Sequence, residues 1–161
     1  MKKIMIFLLV LSAMLVSCGG KSPSAKEICT EVISLCAVPY AKKYEYFAKE
    51  YSDLYLKEDL SLILYDCDIY DYCSDFSIAV SKKDLVSELH ILVAKNAQKA
   101  DLLKKRLDYR ADALRDRELY LYDSKNAETI NAMIYQNGLY VCLVAGNNSE
   151  IMYEKLCELI N

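Results

Sequence analysis

Residues 81–119 read SKKDLVSELHILVAKNAQKADLLKKRLDYRADALRDREL, and the period of their apolar positions governs the reading of everything around them. Leu85, Leu89, Leu92, Asn96, Ala100, Leu103, Leu107, Ala111 and Leu114 advance 29 residues in eight steps. That is about 3.6 residues per step, the repeat of a straight α-helix and not the 3.5 of a coiled coil. Ser81, with Asp84 three residues later, supplies an N-terminal cap. An unbroken helix over 82–119 would extend about 57 Å, well beyond a small domain. Two outcomes stay open: a break near Asn96 or Asp108, or a projecting stalk.

The flanking sequence points the same way. From Tyr40 to Asn137 there are 98 residues without a glycine or a proline. All-β chains need such turn residues every 8–12 positions or so. The spacing predicts helices near 25–37, 40–56 and 60–80, the first opened by a capping box at Ser24 and Glu27. The helix at 60–80 carries Tyr65, Ile69, Tyr72, Phe76 and Val80 on its apolar side. Ser124 or Asn126 caps a further helix to about Gln136, and Ser149 caps the last one. Asn137-Gly138 is a helix stop or a type I′ hairpin turn, and 139–145 (LYVCLVA) is strand or buried helix by pattern alone. The fold expected is all-α: a small helical bundle with one long helix, a short β-hairpin or strand near 131–145, and disulfides holding it.

The N-terminus is a separate segment. Lys2 and Lys3 precede an apolar run from Ile4 to Val16, interrupted only by Ser12. At 13 residues, or about 20 Å as helix, the run is too short to span a bilayer. Leu15-Val16-Ser17-Cys18 follows. This tetrapeptide resembles the lipobox of bacterial lipoproteins. The resemblance covers about 18 residues and implies a signal peptide at 1–17, cleaved before Cys18, and a diacylglycerol on the Cys18 sulfur. It also implies attachment to the membrane through that lipid, in the cell envelope, and at the outer membrane if the host is Gram-negative. Residues 18–24 then form a lipidated tether and 25–161 a single helical domain. It transfers no biochemical activity.

The chain of 161 residues is 54% hydrophobic and 27% charged. Losing residues 1–17 leaves 144 residues and removes two lysines, so 18 Lys+Arg face 23 acids at a formal −5. A mildly acidic chain without a basic run is a poor nucleic-acid binder. Six of the seven cysteines remain beyond Cys18: Cys29, Cys36, Cys67, Cys73, Cys142 and Cys157. In an exported chain an even number favours disulfides, with free thiols next and metal ligation last, since no CxxC occurs. Cys29 and Cys36 lie about 10 Å apart along one helix, beyond disulfide reach. If the first and third helices run parallel, Cys29 pairs with Cys67 and Cys36 with Cys73, leaving Cys142 for Cys157. Antiparallel helices would instead pair Cys29 with Cys73 and Cys36 with Cys67.

Tyr40, Tyr44, Tyr51 and Tyr55 form one stripe of the predicted second helix, read either as core or as an aromatic contact surface. The acids of 66–75 lack the glycine and terminal glutamate of a calcium loop and read as a solvated helix side. His90 is the sole imidazole, and no nucleophile motif accompanies it. The charges from Lys95 to Glu118 read as an exposed, ion-paired helix. No catalytic residue, metal ligand or cofactor is assigned. The leading expectation is a non-catalytic, lipid-anchored envelope protein that binds a protein partner or supports an assembly. A periplasmic inhibitor, immunity or surface-exclusion lipoprotein comes second, and an enzyme using scattered carboxylates third.

Overall fold

Within the stretch read as one long helix, the chain changes structure at Asn96. The computed structural model describes residues 22–35, 40–45, 68–81, 87–121, 131–146 and 148–161. Before Asn96 runs a strand, Glu88–Ala94; after it runs a helix, Ala97–Leu121. Asn96 Oδ1 accepts from Lys99 N at 2.9 Å and its carbonyl from Ala100 N at 3.0 Å. Asn96 therefore caps the helix instead of interrupting it. The expected all-α bundle is wrong; the fold is α+β.

In chain order the elements are α1 (Ala25–Ser34), β1 (Tyr40–Glu45), α2 (Ile69–Tyr72), β2 (Cys73–Ser81) and β3 (Glu88–Ala94). Then come α3 (Ala97–Leu121), β4 (Ala132–Asn137), β5 (Tyr140–Ala145) and α4 (Ser149–Ile160). The strands form one sheet in the order β1-β2-β3-β5-β4, antiparallel throughout. Within the described part of the helix expected at 60–80, residues 68–80, the chain forms a single turn followed by β2, while 60–67 lie outside the described residues; the end of the helix expected at 124–136 is β4. Of the segment 139–145, Leu139 lies in the turn and Tyr140–Ala145 is strand, with β4 and β5 forming a hairpin near 131–145.

Helices cover both sheet faces. Beneath α3, Leu103, Leu107, Ala111 and Leu114 pack on Phe76, Ile78, Leu92 and Leu143. On the opposite face, Ile28 and Val32 of α1 and Met152 and Leu156 of α4 pack on Leu89, Ile91 and Val144. Every residue of β3 except Val93 is buried. A strand covered on both sides has no polar face to alternate, so it reads as a continuous apolar run. Leu89 and Leu92, two steps of the apparent helical stripe, point to opposite faces of the sheet. Their 3.6-residue spacing is a coincidence of a two-sided strand running into a true helix.

Burial, not surface charge, holds α3. The pair Lys104–Asp108, at 3.6 Å and half exposed, contributes about 0.5 kcal/mol or less. Each leucine buried in α3 contributes about 1.5–3 kcal/mol. Local chemistry sets the helix starts. Ser24 and Glu27 form the expected capping box, and Asp75 Oδ2 accepts from Ala25 N at 2.8 Å, joining α1 to β2. Asp68 caps α2 through Tyr70 N, so these two acids of 66–75 serve helix starts and not a solvated helix side.

The expected disulfides are also corrected. Cys29, Cys73, Cys142 and Cys157 stand as thiols, so Cys142 and Cys157 are not bonded to each other. Cys36 and Cys67 lie outside the described residues. The Cys29–Cys67 and Cys36–Cys73 pairings required two parallel helices, yet Cys73 opens a strand and packs on the α3 side. Cys29 packs on the other side of the sheet, which also removes the Cys29–Cys73 alternative.

Two glycines occupy backbone that side chains resist. Gly138 (φ 56°) takes the first of the two loop positions between Asn137 and Tyr140, where primed hairpin turns require positive φ. Gly146 (φ 110°) ends β5 against Ser87, and a Cβ there would lie 2.7 Å from Ser87 Cβ. At Gly138 a Cβ would meet nothing within 4 Å. Gly146→Ala should therefore cost about 2–3 kcal/mol and Gly138→Ala about 1 kcal/mol. Urea midpoints measure both, and equal losses would contradict the close approach at Ser87.

Candidate functional site

Glu88 and His90 are the polar residues of a strand that is otherwise apolar. Two apart on a strand, they share a face, and it is the face under α3 that also carries Leu92 and Ala94. His90 lies opposite Ile78 of β2 and Leu143 of β5 and has no solvent exposure. Above it, α3 buries Leu107 and Ala111, and Arg110 beside them reaches down to the strand. Arg110 Nε donates to Glu88 Oε2 at 3.0 Å, and Nη2 donates to Oε1. This is a two-point grip of guanidinium on carboxylate. His90 Nε2 sits 2.9 Å from Glu88 Oε2. An ionised carboxylate only accepts, so Nε2 carries the proton and donates. Nδ1 is buried with no hydrogen-bond partner among the described residues.

Burial by itself would raise the Glu88 pKa. The hydrogen bonds and attraction of His90, then of Arg110, outweigh it and hold the carboxyl at about 2 instead of 4.5. Glu88 is therefore ionised at any physiological pH, with His90 and Arg110 both directed to it. A carboxylate that orients an imidazole is half of many acid–base sites. Such a base must come within about 3 Å of a substrate proton. Here the imidazole is fully enclosed between sheet and helix. What this arrangement does is fasten α3 to β3. Removing one member of such a buried pair typically costs about 3–5 kcal/mol, because the other charge is stranded.

A second arginine of α3 grips the edge strand β4. Arg115 Nη2 donates to Ala132 O at 2.8 Å and Nη1 meets Asp112 at 2.6 Å. Gly146 N donates to Asn131 O at 3.2 Å, closing β4 on β5 at the same end. By sequence, Arg110 and Arg115 both belong to an exposed charged face. Asp112 with Arg115 and Lys104 with Asp108 do form such pairs, but Arg110 is turned inward.

Apart from His90, the residues singled out in the sequence do not converge on this cluster. Cys18 lies outside the described residues, as do Tyr51 and Tyr55. Tyr40 and Tyr44 fall on β1, with an irregular register between Lys42 and Tyr44, so they do not form a helical stripe. Burial raises the Cys142 thiol pKa well above its ordinary value, and the neighbouring Cys29 and Cys157 thiols add to this. A thiol held protonated is a weak nucleophile. Among the described residues no group of three His, Cys, Asp or Glu is arranged to hold a metal ion. Sequence reasoning missed Glu88 and Arg110. The available signal was parity: two polar residues at i and i+2 in an apolar run share one strand face and need a partner from whatever covers it.

No protein-family model, no curated protein and no solved structure matches this chain, so no family is assigned to it.

Because the folded pKa of Glu88 lies below its unfolded value, its contribution is present in full above about pH 4.5. It disappears as the pH falls through 2. The shift corresponds to about 3 kcal/mol. Glu88→Gln should be less stable than the parent at pH 6, and the gap should close by about that amount by pH 2. Urea titrations across this range measure it, and parallel curves for the two proteins would contradict the pairing.

Proposed function

We propose that the chain is a lipid-anchored protein of the bacterial cell envelope, acting as a non-catalytic protein-binding or assembly module. The observation that carries this reading is Leu15-Val16-Ser17-Cys18 after the 13-residue apolar run. The position of the tether supports it. Tyr140 OH donates to Pro23 O at 2.8 Å, and Asp75 holds Ala25 N, so the chain joins the domain at the hairpin end of the sheet. Ser22 is four residue steps from Cys18, a reach of at most about 14 Å. An acylated Cys18 would keep the domain close to the bilayer. At about 0.8 kcal/mol per buried CH₂, two or three acyl chains make that attachment stable. The Glu88–His90–Arg110 cluster supports a non-catalytic role, because it is enclosed between sheet and helix and its hydrogen bonds fasten α3 to the sheet.

In a bacterial host the mature protein should begin at Cys18, carry a diacylglycerol mass increment and sediment with membranes. Cys18→Ser should leave an uncleaved precursor without that increment. Intact-protein mass spectrometry of both proteins reads the outcome. Identical masses apart from the substitution would overturn the anchoring.

A further inference from the structure

The two edges of the sheet differ. β1 carries Lys42, Lys43 and Glu45 and breaks register between Lys42 and Tyr44, the features by which edge strands avoid pairing with other chains. β4, at the other edge, is AMIYQN: six residues with no charge, no proline and regular register. Its outward backbone groups can be identified. The two-residue loop makes Asn137 and Tyr140 the closing pair, and Asn131 O accepts from Gly146 N, so 131, 133, 135 and 137 bond inward to β5. The groups of Ala132, Ile134 and Gln136 face out. Ala132 O is taken by Arg115. Among the described residues no strand pairs with Ile134 or Gln136 on this side.

We infer that β4 pairs antiparallel with β4 of a second copy of this chain, giving a ten-stranded sheet across a two-fold dimer. With Tyr135 facing its own counterpart, Ile134 and Gln136 of each copy exchange four hydrogen bonds, and Ala132 O stays with Arg115. No charge meets its like along this edge, so the strand is compatible with itself, which the lysine-bearing β1 edge is not. Residues opposite one another in an antiparallel pair point to the same side of the sheet. The dimer therefore places α1 and α4 of both copies on one side. If Cys18 is acylated, both tethers leave from α1 on that side and reach the same membrane. This last point rests on the proposed anchoring; the hydrogen-bond pattern does not.

The full-length chain in detergent, with the detergent contribution subtracted, should scatter light at twice the protomer mass. Gln136→Pro removes an outward N–H, leaves the β4–β5 ladder intact and should return the mass to one protomer. Gln136→Lys, which charges the edge, should do the same. Facing Tyr135 positions lie about 4.5 Å apart at Cα, so Tyr135→Cys should form a disulfide-linked dimer under mild oxidation. The Met133 positions are about 14 Å apart, and Met133→Cys should add no crosslink to the background of the native cysteines. A monomeric parent protein, or equal crosslinking at 133 and 135, would overturn the dimer. So would a dimer of unchanged mass in both Gln136 variants. Membrane fractionation of Gln136→Pro should remain that of the parent, which separates failure of the dimer from failure of the anchor.

Discussion

In the middle of the sheet, β3 is covered by α3 on one side and by α1 and α4 on the other, and the remaining elements are arranged to keep it covered. Leu89 and Ile91 serve one core, Leu92 and Ala94 the other, and no position of the strand faces only water. β5 beside it is nearly as deeply buried. Two cores sharing one pair of strands make the layers interdependent. Loosening α3 exposes the upper face of the same residues whose backbone supports α1 and α4 from below.

A polar group in such a strand must be satisfied by whatever element lies above it. Glu88 sets that requirement, and Arg110 and His90 meet it. Hydrophobic contacts alone allow a helix to slide along a sheet by small steps. A two-point contact between guanidinium and carboxylate accepts one position. The register of α3 over the sheet thus follows from Arg110 on Glu88 and Arg115 on Ala132 O, about one turn and a half apart on the same helix. The cluster looks like catalytic machinery by composition and works as a fastening by location.

How far the sequence discloses this structure depends on burial. Features decided by local chemistry were legible: the capping box at Ser24, the turn at Gly138, and the strand-or-helix ambiguity of 139–145 that resolves into β5. The helical stripe from Ala100 to Leu114 was legible too, since α3 exposes one side and buries the other. β3 was not. Covered on both faces, ELHILVA has neither the alternation of a half-buried strand nor a polar face, and its leucines prolong the period of the helix that follows. The missing glycines and prolines misled for a related reason. Residues 82–87 connect antiparallel β2 and β3 without either, so the absence of those two residues does not exclude a sheet. The site was hidden because Glu88, His90 and Arg110 belong to two elements, and their meeting depends on the layer order. The anchor is the opposite case, a linear signal of charge, apolar length and Cys18.

Hydrogen exchange of the backbone amides tests the two-sided burial of β3 most directly. Peptic peptides covering 88–95 and 140–146 should exchange most slowly of all, at the rate of global unfolding, and together. Peptides from 97–116 of α3 should exchange through smaller openings. If 88–95 instead exchanges early, or at the rate of 97–116 as part of one continuous helix, β3 is not the buried central strand on which both cores depend.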